Sequence, residues 1–483
     1  MNISELPALN TWIGSACEPS AVRDTHALHN PNTGAALVES RSSSAEQVDR
    51  AITLAHETHQ AGTWEDLGVE GRAPFLLAFA ELLDEQAESI AQLDALNSGV
   101  PIRVTRMFAA SNGATVRSAV SRARALGDIE WLPAEGRKVC VHRVAWGPTA
   151  LIMPWNAPSA MAVKKMAYAL VAGATVVMKP SPASPFSTEL VVQAACKAGI
   201  PHGVISLVLG GAQVGEQLVS DPRIRAISMT GSTPTGRAIA VAGGRNFTRL
   251  RLELGSNNAA IVRADADVAE AAALIVSGAM KLSGQWCEAP RRVIVASGLL
   301  DELVTALQHE MEKLQVGSSL DEATDVGPVA FEARKIELVS QREALQAAGA
   351  RIIEVGTPRR DGWFMPPTLA VADEIDLELE IFGPMITVQP STSDAHAISL
   401  ANAGHVGLAA YVFSRDQTRG HEIGKKLLAG EVKLNGTSVL DMSPLSVQSF
   451  FGASGIGGHG DADVLDFFTG KRVVGVDKLG LPI

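Results

Sequence analysis

The chain has 483 residues, which is more than one hydrophobic core usually organises, so two or three domains are expected. Hydrophobic residues make up 46% of the chain and charged residues 19%, which is typical of a folded globular protein and excludes a disordered one. The formal net charge is −11, and acidic residues are spread along the chain, which argues against nucleic acid or an anionic membrane as a partner.

The cysteine pattern and the apolar segments indicate a cytoplasmic protein. The chain contains four cysteines: Cys17, Cys140, Cys196 and Cys287. They form no CxxC pair and no disulfide framework, so we expect reduced thiols. The first basic residue is Arg23, so no secretory signal is expected. The most apolar stretch, residues 167–178, is too short to span a bilayer, so no membrane partner is expected.

Helices dominate the predicted first third of the chain. Ser43 and Glu46 have capping-box spacing, and the apolar residues that follow recur with a helical period. Pro74 is expected near the first turn of a later helix. Between residues 129 and 148, two extended runs flank Glu135-Gly136, which predicts a β-hairpin.

Strand-like and helical patterns alternate from about Thr149. The strand-like runs are TALIMP, TVVMK, VISLVLG, IRAISM and LRLEL. A second series starts near Asn258 with NAAIV and RRVIVA, and the tail GKRVVGV is a further strand candidate. Such alternation argues for parallel sheets with crossover helices. The predicted fold is α/β, with a Rossmann-like unit followed by a second α/β domain.

Cys287 differs from the other cysteines in its setting. It lies in the stretch SGQWCEAPRR, after a Ser-Gly break that ends a predicted helix and before a predicted strand. Loops on α/β scaffolds often hold reactive groups. Cys17, Cys140 and Cys196 instead fit the pattern of inert packing residues. A thiolate at position 287 could attack a carbonyl carbon and form a covalent intermediate.

Two polar residues follow predicted parallel strands. Glu253 ends the apolar run LRLEL, where a carboxylate is rare unless it is ion-paired or functional, and both interpretations stay open. Asn156, in PWNAP, follows the first parallel strand, at the edge where α/β proteins bind ligands. Its amide could donate to a developing oxyanion or could simply stabilise a turn.

Other strand ends carry groups suited to a nucleotide. Lys179, in MKPSP, stands between a strand and a helix. Gly231, Ser232 and Gly236, in MTGSTPTG, form a strand-to-helix turn whose backbone N–H groups suit a phosphate. Glu380 precedes a Phe-Gly-Pro turn and could equally be a surface acid. Without an HExxH, CxxC or EF-hand pattern no metal site is expected, and without GxSxG no serine hydrolase.

Taken in this order, the motifs resemble those of the aldehyde dehydrogenase superfamily. The resemblance runs from NPNTG, residues 30–34, to FFGASGIGGHG, residues 450–460, and so covers nearly the whole chain. It implies a homodimer or homotetramer whose subunit has three parts. These parts are an NAD(P)-binding domain at residues 1–124 and 146–254, a catalytic domain at 255–450, and a small β oligomerisation element at 125–145 and 451–483.

The resemblance also implies a reaction, the NAD(P)-dependent oxidation of an aldehyde to a carboxylic acid. Cys287 would add to the aldehyde, and the Asn156 amide with the Cys287 backbone N–H would hold the oxyanion. Glu253 would activate the water that hydrolyses the thioester, and Lys165 matches a further catalytic position. The cofactor-binding residues that the resemblance implies are Pro154, Trp155, Lys179, Ser181, Gly231, Ser232, Leu254, Gly255, Glu380 and Phe382.

Five positions depart from the usual family pattern. Ser256 replaces a glycine, Met229 stands where phenylalanine is common, and Trp286 and Glu288 flank the thiol where smaller or less charged residues are frequent. Pro182 stands where many NAD-using members carry a glutamate that binds the adenosine ribose. Loss of that acid makes NADP possible. Other members with proline there use NAD, so the expected cofactor is NAD or NADP, with NAD slightly favoured.

The sequence leaves the substrate and two rival functions open. If the helix face formed by Ala157, Met161 and Lys164 lines the aldehyde tunnel, a cation there would favour a substrate with a carboxylate or another polar group. Alternatively, Lys164 reaches the surface or pairs with Glu288. A CoA-acylating relative is one rival, against which Glu253 argues. An inactive structural relative is the other.

Overall fold

The computed structural model describes residues 6–134, 136–357, 359, 361–375, 380–440 and 442–477. Glu135, half of the predicted hairpin turn, lies outside the described residues. The α-helices in chain order are α1 Ala45–Gln60, α2 Gly68–Glu85, α3 Ala87–Ser98, α4 Ile102–Leu126, α5 Pro158–Val171, α6 Phe186–Lys197, α7 Ala212–Ser220, α8 Thr233–Arg245, α9 Val268–Met280, α10 Leu300–Glu312, α11 Glu332–Ala347, α12 Asp394–Asn402, α13 Gln417–Gly424 and α14 Asp461–Phe468.

The strands are more numerous than the sequence patterns predicted. In chain order they are β1 Asn10–Ile13, β2 Ala16–Pro19, β3 Val22–His29, β4 Ala36–Ser42, β5 Ile129–Trp131, β6 Val139–Ala145, β7 Thr149–Ile152, β8 Val176–Lys179, β9 Ile205–Leu207, β10 Ala226–Thr230, β11 Arg249–Glu253, β12 Ala259–Val262, β13 Arg292–Ala296, β14 Arg351–Glu354, β15 Thr368–Val371, β16 Met385–Ser391, β17 Val406–Gly407, β18 Ala409–Phe413, β19 Glu431–Leu434, β20 Gln448–Ser449, β21 Phe451–Gly452, β22 Gly455–Ile456, β23 Gly458–His459 and β24 Thr469–Gly475.

The first large sheet has the order β2-β1-β9-β8-β7-β10-β11-β22. Its five strands β9, β8, β7, β10 and β11 are parallel, and β1 and β22 flank them in antiparallel pairing. Neighbouring residues along β7 face different cores, since Ala150 packs in one hydrophobic cluster and Leu151 in another. Side chains alternate across a strand, so helices cover both faces of this sheet, as in a doubly wound fold.

The second large sheet has the order β14-β15-β16-β13-β12-β18-β19. It is parallel except at β14, which pairs antiparallel with β15 at the edge. Ile261 packs in one hydrophobic cluster and its neighbours Ala260 and Val262 in another, so this sheet is also covered on both faces. Apart from the antiparallel strands at the edges, the predicted α/β architecture with two parallel sheets is therefore present.

A separate three-stranded antiparallel sheet has the order β24-β6-β5. It joins the predicted hairpin to the C-terminal strand through a seven-residue register from Thr469–Ala145 to Gly475–Val139. The segment before α14 belongs to another sheet, because its strand β22 pairs with β11 at the edge of the first large sheet. The C-terminal segment therefore contributes to two sheets, and the expected domain boundaries remain a prediction.

Two local expectations for the first third of the chain are wrong. Its helical character is confirmed, because α1 to α4 fill most of residues 45–126, although four unexpected strands, β1 to β4, precede them. The capping box uses Ser44 and Gln47. The Ser43 hydroxyl is not available, because it forms a hydrogen bond with Thr11 Oγ1 at 2.7 Å and accepts another from the Leu209 N–H at 2.9 Å. Pro74 lies inside α2, which already begins at Gly68.

Candidate active site

The loop that carries Cys287 has an unusual backbone. After α9 the chain makes a short 3₁₀ segment in which Leu282, Ser283 and Gly284 have φ values of 53°, 57° and 75°. Left-handed conformations of this kind cost free energy in non-glycine residues, so surrounding contacts must impose them. A Cβ at Gly284 would overlap the backbone of Gly383 and Pro384, so only glycine fits this position.

Side chains of the loop provide the contacts that hold this backbone. Ser283 Oγ donates to the Gly99 carbonyl at 2.9 Å and accepts from the Gly327 N–H at 2.9 Å. Gln285 Nε2 donates to the Ser98 carbonyl at 3.0 Å. Gln285 Oε1 accepts from the backbone N–H of Ala330, just before α11 begins at Glu332. Both side chains are fully buried. The loop is therefore fixed to the C-terminal end of α3 by its own side chains.

A second group of contacts fixes the chain on the other side of the thiol. Asn258 Nδ2 donates to the carbonyls of Cys287 at 2.7 Å and Ala289 at 2.9 Å. The Tyr411 hydroxyl donates to the Glu288 carbonyl. Sequence reasoning missed Asn258, although a polar amide just after Glu253, in LGSNN, was a usable signal. These bonds leave the Cys287 side chain as the part of the loop that can react.

The Cys287 thiol is protonated near neutral pH in this setting. Burial raises the pKa of the thiol well above its usual value, and the carboxylates of Glu253, Glu288 and Glu380 raise it further. A thiol of this kind needs a nearby proton acceptor before it can act as a nucleophile. The arrangement therefore requires a base in the same site.

Asn156 follows β7 and is tied directly to the thiol loop. Its Nδ2 donates to the Gln285 carbonyl at 2.7 Å, two residues before Cys287. A side-chain amide has two N–H donors, so one remains for a second acceptor. Trp155, its neighbour, packs edge-on against Phe331 and Phe382, with ring centroids 5.2 and 5.3 Å away. The side-chain amide is thus fixed beside the nucleophile.

Glu253 ends β11 and is surrounded by polar groups. Thr230 Oγ1 donates to Glu253 Oε2 at 3.2 Å, Arg251 Nη2 lies 3.9 Å from the same oxygen, and His459 Nδ1 lies 4.0 Å from Oε1. Burial by itself would raise the pKa of this carboxyl, but the positive charges around it, Arg251 and the lysines of α5 among them, outweigh burial and lower the pKa to about 2. Glu253 is therefore ionised at any working pH.

The two adjacent lysines of α5 extend this polar cluster. Lys165 is buried, and its Nζ donates to Ser228 Oγ at 3.0 Å. Burial lowers the pKa of Lys165 well below its usual value. Lys164 Nζ lies 3.3 Å from His459 Nε2 and 3.7 Å from Asp461 Oδ1. The suggested pairing of Lys164 with Glu288 is therefore wrong, because β23 and α14 bring other partners to it.

A large cavity lies along the carboxyl ends of the first sheet's strands. Its volume is about 1220 Å³, above the usual range of pockets for small ligands. Cys287 and Asn156 line it, whereas Glu253 and Lys165 are not among its lining residues. The ten residues expected to bind a dinucleotide all line it: Pro154, Trp155, Lys179, Ser181, Gly231, Ser232, Leu254, Gly255, Glu380 and Phe382.

The wall of this cavity has the chemistry of a dinucleotide site. Ser232 is the N-cap of α8, so the positive end of that helix faces the cavity. Lys179 places a cation on the same wall, and burial lowers the pKa of its ammonium to about 8. Glu380 Oε1 accepts from the Ser256 N–H at 3.1 Å, and a Cβ at Gly255 would overlap the Glu380 carboxylate.

Sequence comparison assigns the family. Residues 18–474 match the sequence model of the Aldehyde dehydrogenase family. The chain belongs to this family. Within the described part of the chain no helix is long and apolar enough to cross a membrane. The described residues also contain no cluster of histidine, cysteine and acidic side chains that could hold a metal ion.

Individual relatives agree with the family. A geranial dehydrogenase from Castellaniella defragrans is 34% identical over 81% of this chain and 83% of its own length. An NADP⁺ succinate-semialdehyde dehydrogenase from Escherichia coli is 31% identical over 89% of this chain and 90% of its own. The solved structure of a betaine aldehyde dehydrogenase from Staphylococcus aureus with NAD⁺ aligns to this chain with a TM-score of 0.93 and 27% sequence identity. The alignment covers 100% of this chain and 97% of that structure's chain.

These findings confirm the expected fold class, enzyme class and cofactor type. The chain is an oxidoreductase of the aldehyde dehydrogenase family with a Rossmann-like domain and a catalytic domain. Its cofactor is NAD or NADP. The cavity fits such a cofactor, since a helix N-terminus, a lysine and a carboxylate line one continuous wall.

Proposed function

We propose that this chain oxidises an aldehyde to a carboxylic acid through a covalent intermediate on Cys287. The thiolate forms a C–S bond to the aldehyde carbon, and the carbonyl oxygen becomes an oxyanion. The second N–H of the Asn156 amide and the Cys287 backbone N–H stabilise that oxyanion. Loss of a hydride from the carbon of this adduct, for which the bound cofactor would be the acceptor, would give a thioester. Water then cleaves the C–S bond of the thioester, which yields the acid and returns the thiol.

One contact carries this proposal. The 2.7 Å hydrogen bond from Asn156 Nδ2 to the Gln285 carbonyl fixes an oxyanion donor to the loop of the nucleophile. Both Asn156 and Cys287 also face the cavity proposed to bind the cofactor. Electrostatic stabilisation by a pre-positioned donor often lowers the barrier of such reactions more than any other effect. A structural cysteine would need neither the donor nor the cavity.

The bound cofactor is proposed to lie along the cavity and to supply a hydride acceptor. Lys179 and Glu380 are proposed to hold its riboses, and Ser232 its pyrophosphate at the N-terminus of α8. Apolar residues of the cavity wall, such as Leu254, would exclude water from the reacting atoms. Lys165 is proposed to act on Glu253 through its positive charge.

Glu253 is proposed to be the base that activates water for thioester hydrolysis. It is one of the charged groups that raise the pKa of Cys287, so it lies close enough to influence the reacting centre. Its presence favours hydrolysis over transfer of the acyl group to CoA. An inactive structural relative would have no need for a buried carboxylate that ion-pairs behind a reactive thiol.

The assembly and location are proposed on separate grounds. Trp131, Val473 and Val476 of the three-stranded sheet and its flank are exposed apolar side chains, which supports a homodimer or homotetramer formed through this element. All four cysteines are free thiols, which supports a reducing, cytoplasmic location.

The division of the subunit is proposed on the pattern of the family. The NAD(P)-binding domain takes residues 1–124 and 146–254, the catalytic domain residues 255–450, and the oligomerisation element the remainder of the chain. The three-stranded sheet supports the last of these parts, because it joins β5 and β6 to β24 across the length of the chain.

A fluorescence assay for NADH and NADPH tests the proposed function. The purified chain is incubated with NAD⁺ or NADP⁺ and a panel of aldehydes, with and without CoA. Reduction of the cofactor without CoA, together with release of the carboxylic acid, is expected. Strict dependence on CoA would favour the acylating reaction instead. No reduction with any aldehyde, although dinucleotide binds, would favour an inactive relative.

A further inference from the structure

The last turn of α3 is a common anchor for the two sides of the proposed oxyanion site. Residues 93–100, which form this turn and its exit, are all buried. On one side the thiol loop binds to the turn, because Gln285 Nε2 donates to the Ser98 carbonyl at 3.0 Å and Ser283 Oγ donates to the Gly99 carbonyl at 2.9 Å. Carbonyls at a helix C-terminus have no partner within the helix, so they can fix another segment.

The other side of the site is fixed to the same turn through Asp94. Ser159 Oγ, in the first turn of α5, donates to Asp94 Oδ2 at 2.5 Å. Only 2% of Asp94 is exposed, and Ser159 is fully buried. Burial raises the pKa of Asp94 to about 6, and the hydroxyl and backbone N–H of Ser159 are among the groups that oppose this rise. Ala157, the N-cap of α5, forms no side-chain hydrogen bond, so a carboxylate of α3 takes that role at the positive end of α5.

These contacts join into a closed ring that includes the oxyanion donor. Ser159 lies three residues after Asn156, whose Nδ2 donates to the Gln285 carbonyl at 2.7 Å. The Gln285 side chain returns to Ser98, and Ser98 Oγ donates to the Asp94 carbonyl at 2.6 Å. The ring then closes through the bond between Asp94 and Ser159. Three separate parts of the chain thus fix one another around the Asn156 amide.

The position of Asn156 depends on this ring. Asp94, Ser98, Ser159 and Gln285 are all buried, so water does not compete for their hydrogen bonds. The bond between Asp94 and Ser159 contacts neither Asn156 nor the thiol loop, yet without it the first turn of α5 loses its tie to α3. A donor that moves by about 1 Å can lose roughly a hundredfold of its effect on a reaction.

We propose that Asp94 and Ser159 are positioning residues, whose hydrogen bond holds the first turn of α5 so that the Asn156 amide reaches the oxyanion formed on Cys287. This inference rests on the proposed function, because it assumes that Asn156 stabilises such an oxyanion. A carboxyl group buried this deeply is costly, and a position that served only packing would be filled by an apolar side chain.

Two reactions of the Cys287 thiol test this inference with the full-length chain and without cofactor. With p-nitrophenyl acetate the thiolate adds to the ester carbonyl, an oxyanion forms, and p-nitrophenolate leaves behind an acetyl thioester. With iodoacetamide the thiolate displaces iodide from a saturated carbon, and no oxyanion forms. The ratio of the two second-order rate constants therefore reports the oxyanion donor alone. The rates of Cys287→Ala are subtracted, because Cys17 is exposed and also reacts.

Ser159→Ala and Asp94→Ala are each expected to lower the rate constant for the ester about tenfold and that for iodoacetamide less than about twofold. Asp94→Asn keeps an acceptor oxygen, so it should stay within about threefold of the wild type for the ester. The matched control is Thr105→Val. The buried Thr105 hydroxyl also donates to α3, to the Ala91 carbonyl at 2.8 Å, but it joins α4 rather than α5 to that helix. Its loss should change neither reaction.

A double variant separates positioning from general damage to the fold. Asn156→Ala should lower the rate constant for the ester about a hundredfold, and adding Ser159→Ala should lower it less than about twofold further, because the donor is already gone. Losses that multiply independently would overturn the inference. An iodoacetamide rate that falls as far as the ester rate would also overturn it. Ser159→Ala removes a single oxygen, so it provides the test if melting curves show that Asp94→Ala does not fold.

The outcomes separate this inference from the proposed function. If the wild type oxidises hexanal with NAD⁺ or NADP⁺ and Ser159→Ala keeps the wild-type ratio of the two rate constants, the inference fails and aldehyde oxidation stands. If the ratio falls as expected but no aldehyde reduces either cofactor, the proposed oxidation fails and the positioning role stands. An ester rate in the wild type no higher than in Cys287→Ala would overturn the inference, since Asn156 would then stabilise no oxyanion at this thiol.

Discussion

Arg251 and Glu253 form a buried ion pair within a single strand, with Arg251 Nη2 3.9 Å from Glu253 Oε2. They lie two residues apart on β11, so their side chains point to the same face. Only 2% and 7% of the two side chains are exposed. Arg251 Nε also donates to the Gly458 carbonyl at 2.9 Å, which fixes the guanidinium in place. The proposed base is thus held by a cation of its own strand.

The first prediction concerns this ion pair. Replacing Arg251 by leucine removes one of the cations that lower the pKa of Glu253, so that pKa should rise towards its ordinary value. A protonated carboxyl cannot accept a proton from water. The acidic limb of the pH profile for thioester hydrolysis should therefore move to higher pH. Arg251→Lys keeps the charge and should keep the profile close to that of the wild type.

The measurement is a pH series of kcat values that extends into the acid range, with the acyl-enzyme hydrolysis step isolated by rapid mixing. An acidic limb at the same pH in both variants would show that Arg251 does not act through Glu253. Arg251→Leu is also expected to destabilise the fold by roughly 3–5 kcal/mol, because it leaves a buried charge with fewer partners. A melting curve shows whether the variant remains folded at the assay temperature.

Cys287→Ala is predicted to abolish aldehyde oxidation and to leave dinucleotide binding nearly intact. The thiol forms the covalent bond, but it is only one of many groups that line the cavity. Turnover and the quenching of protein fluorescence by NADH are measured in parallel. Cys17→Ala is the control, since Cys17 is exposed and does not line the cavity. Substantial residual turnover would remove Cys287 from its proposed role.

Glu253→Gln is predicted to slow thioester hydrolysis more than formation of NADH or NADPH. The amide keeps the shape of the side chain and its contact with Thr230, but it cannot take a proton from water. A burst of reduced cofactor should then appear, or grow, before a slow steady state. Stopped-flow fluorescence detects it. Equal slowing of both phases would mean that Glu253 acts earlier or only supports the structure.

Cofactor affinity is predicted to depend on pH through Lys179. Burial lowers the pKa of its ammonium to about 8, so the positive charge is present below that pH and is lost as pH rises through it. The 2′-phosphate of NADP⁺, which is carried on one of the riboses proposed to lie at Lys179 and Glu380, would raise this pKa and so favour the charged form. The KM for NADP⁺ should therefore rise as the pH is raised from neutral to well above the pKa of Lys179, and that for NAD⁺ should rise less.

Lys179→Met separates this effect from other titrations, because the variant has no charge to lose. It should raise the KM for NADP⁺ about tenfold at neutral pH and should flatten the pH dependence. Steady-state kinetics at fixed aldehyde give both values. A variant that keeps the wild-type pH dependence would assign it to another group.

Gly284→Ala is predicted to destabilise the protein by at least about 2 kcal/mol, because its φ of 75° is strained for alanine and the added Cβ meets the backbone of Gly383. Gly298→Ala is the matched control, since a Cβ there meets no atom within 4 Å. Urea unfolding followed by circular dichroism measures both. Equal stability of the two variants would show that the thiol loop relaxes around the new methyl group.

The central strands and the candidate reactive residues could be predicted from local patterns alone. The strands expected between Thr149 and Val262 are present because each parallel strand is a short apolar run, whose signal needs no distant partner. Asn156 and Lys179 could be named because ligands bind where parallel strands end, and strand ends can be located in the sequence. Cys287 differed from the other cysteines because it follows a Ser-Gly break between a helix and a strand.

The surroundings of those residues could not be predicted in this way. His459 of β23 lies beside Glu253. The carbonyl of Gly458, also in β23, accepts a hydrogen bond from Arg251, 207 residues away along the chain. Strands β1 to β4 were missed although β1 pairs with β2 and β3 with β4 nearby in the chain, and of these four only β1 also pairs with a distant strand, with Trp12 opposite Leu207. Apolar periodicity depends on neighbours in the chain, whereas sheet edges and ion pairs between segments depend on how the whole chain folds.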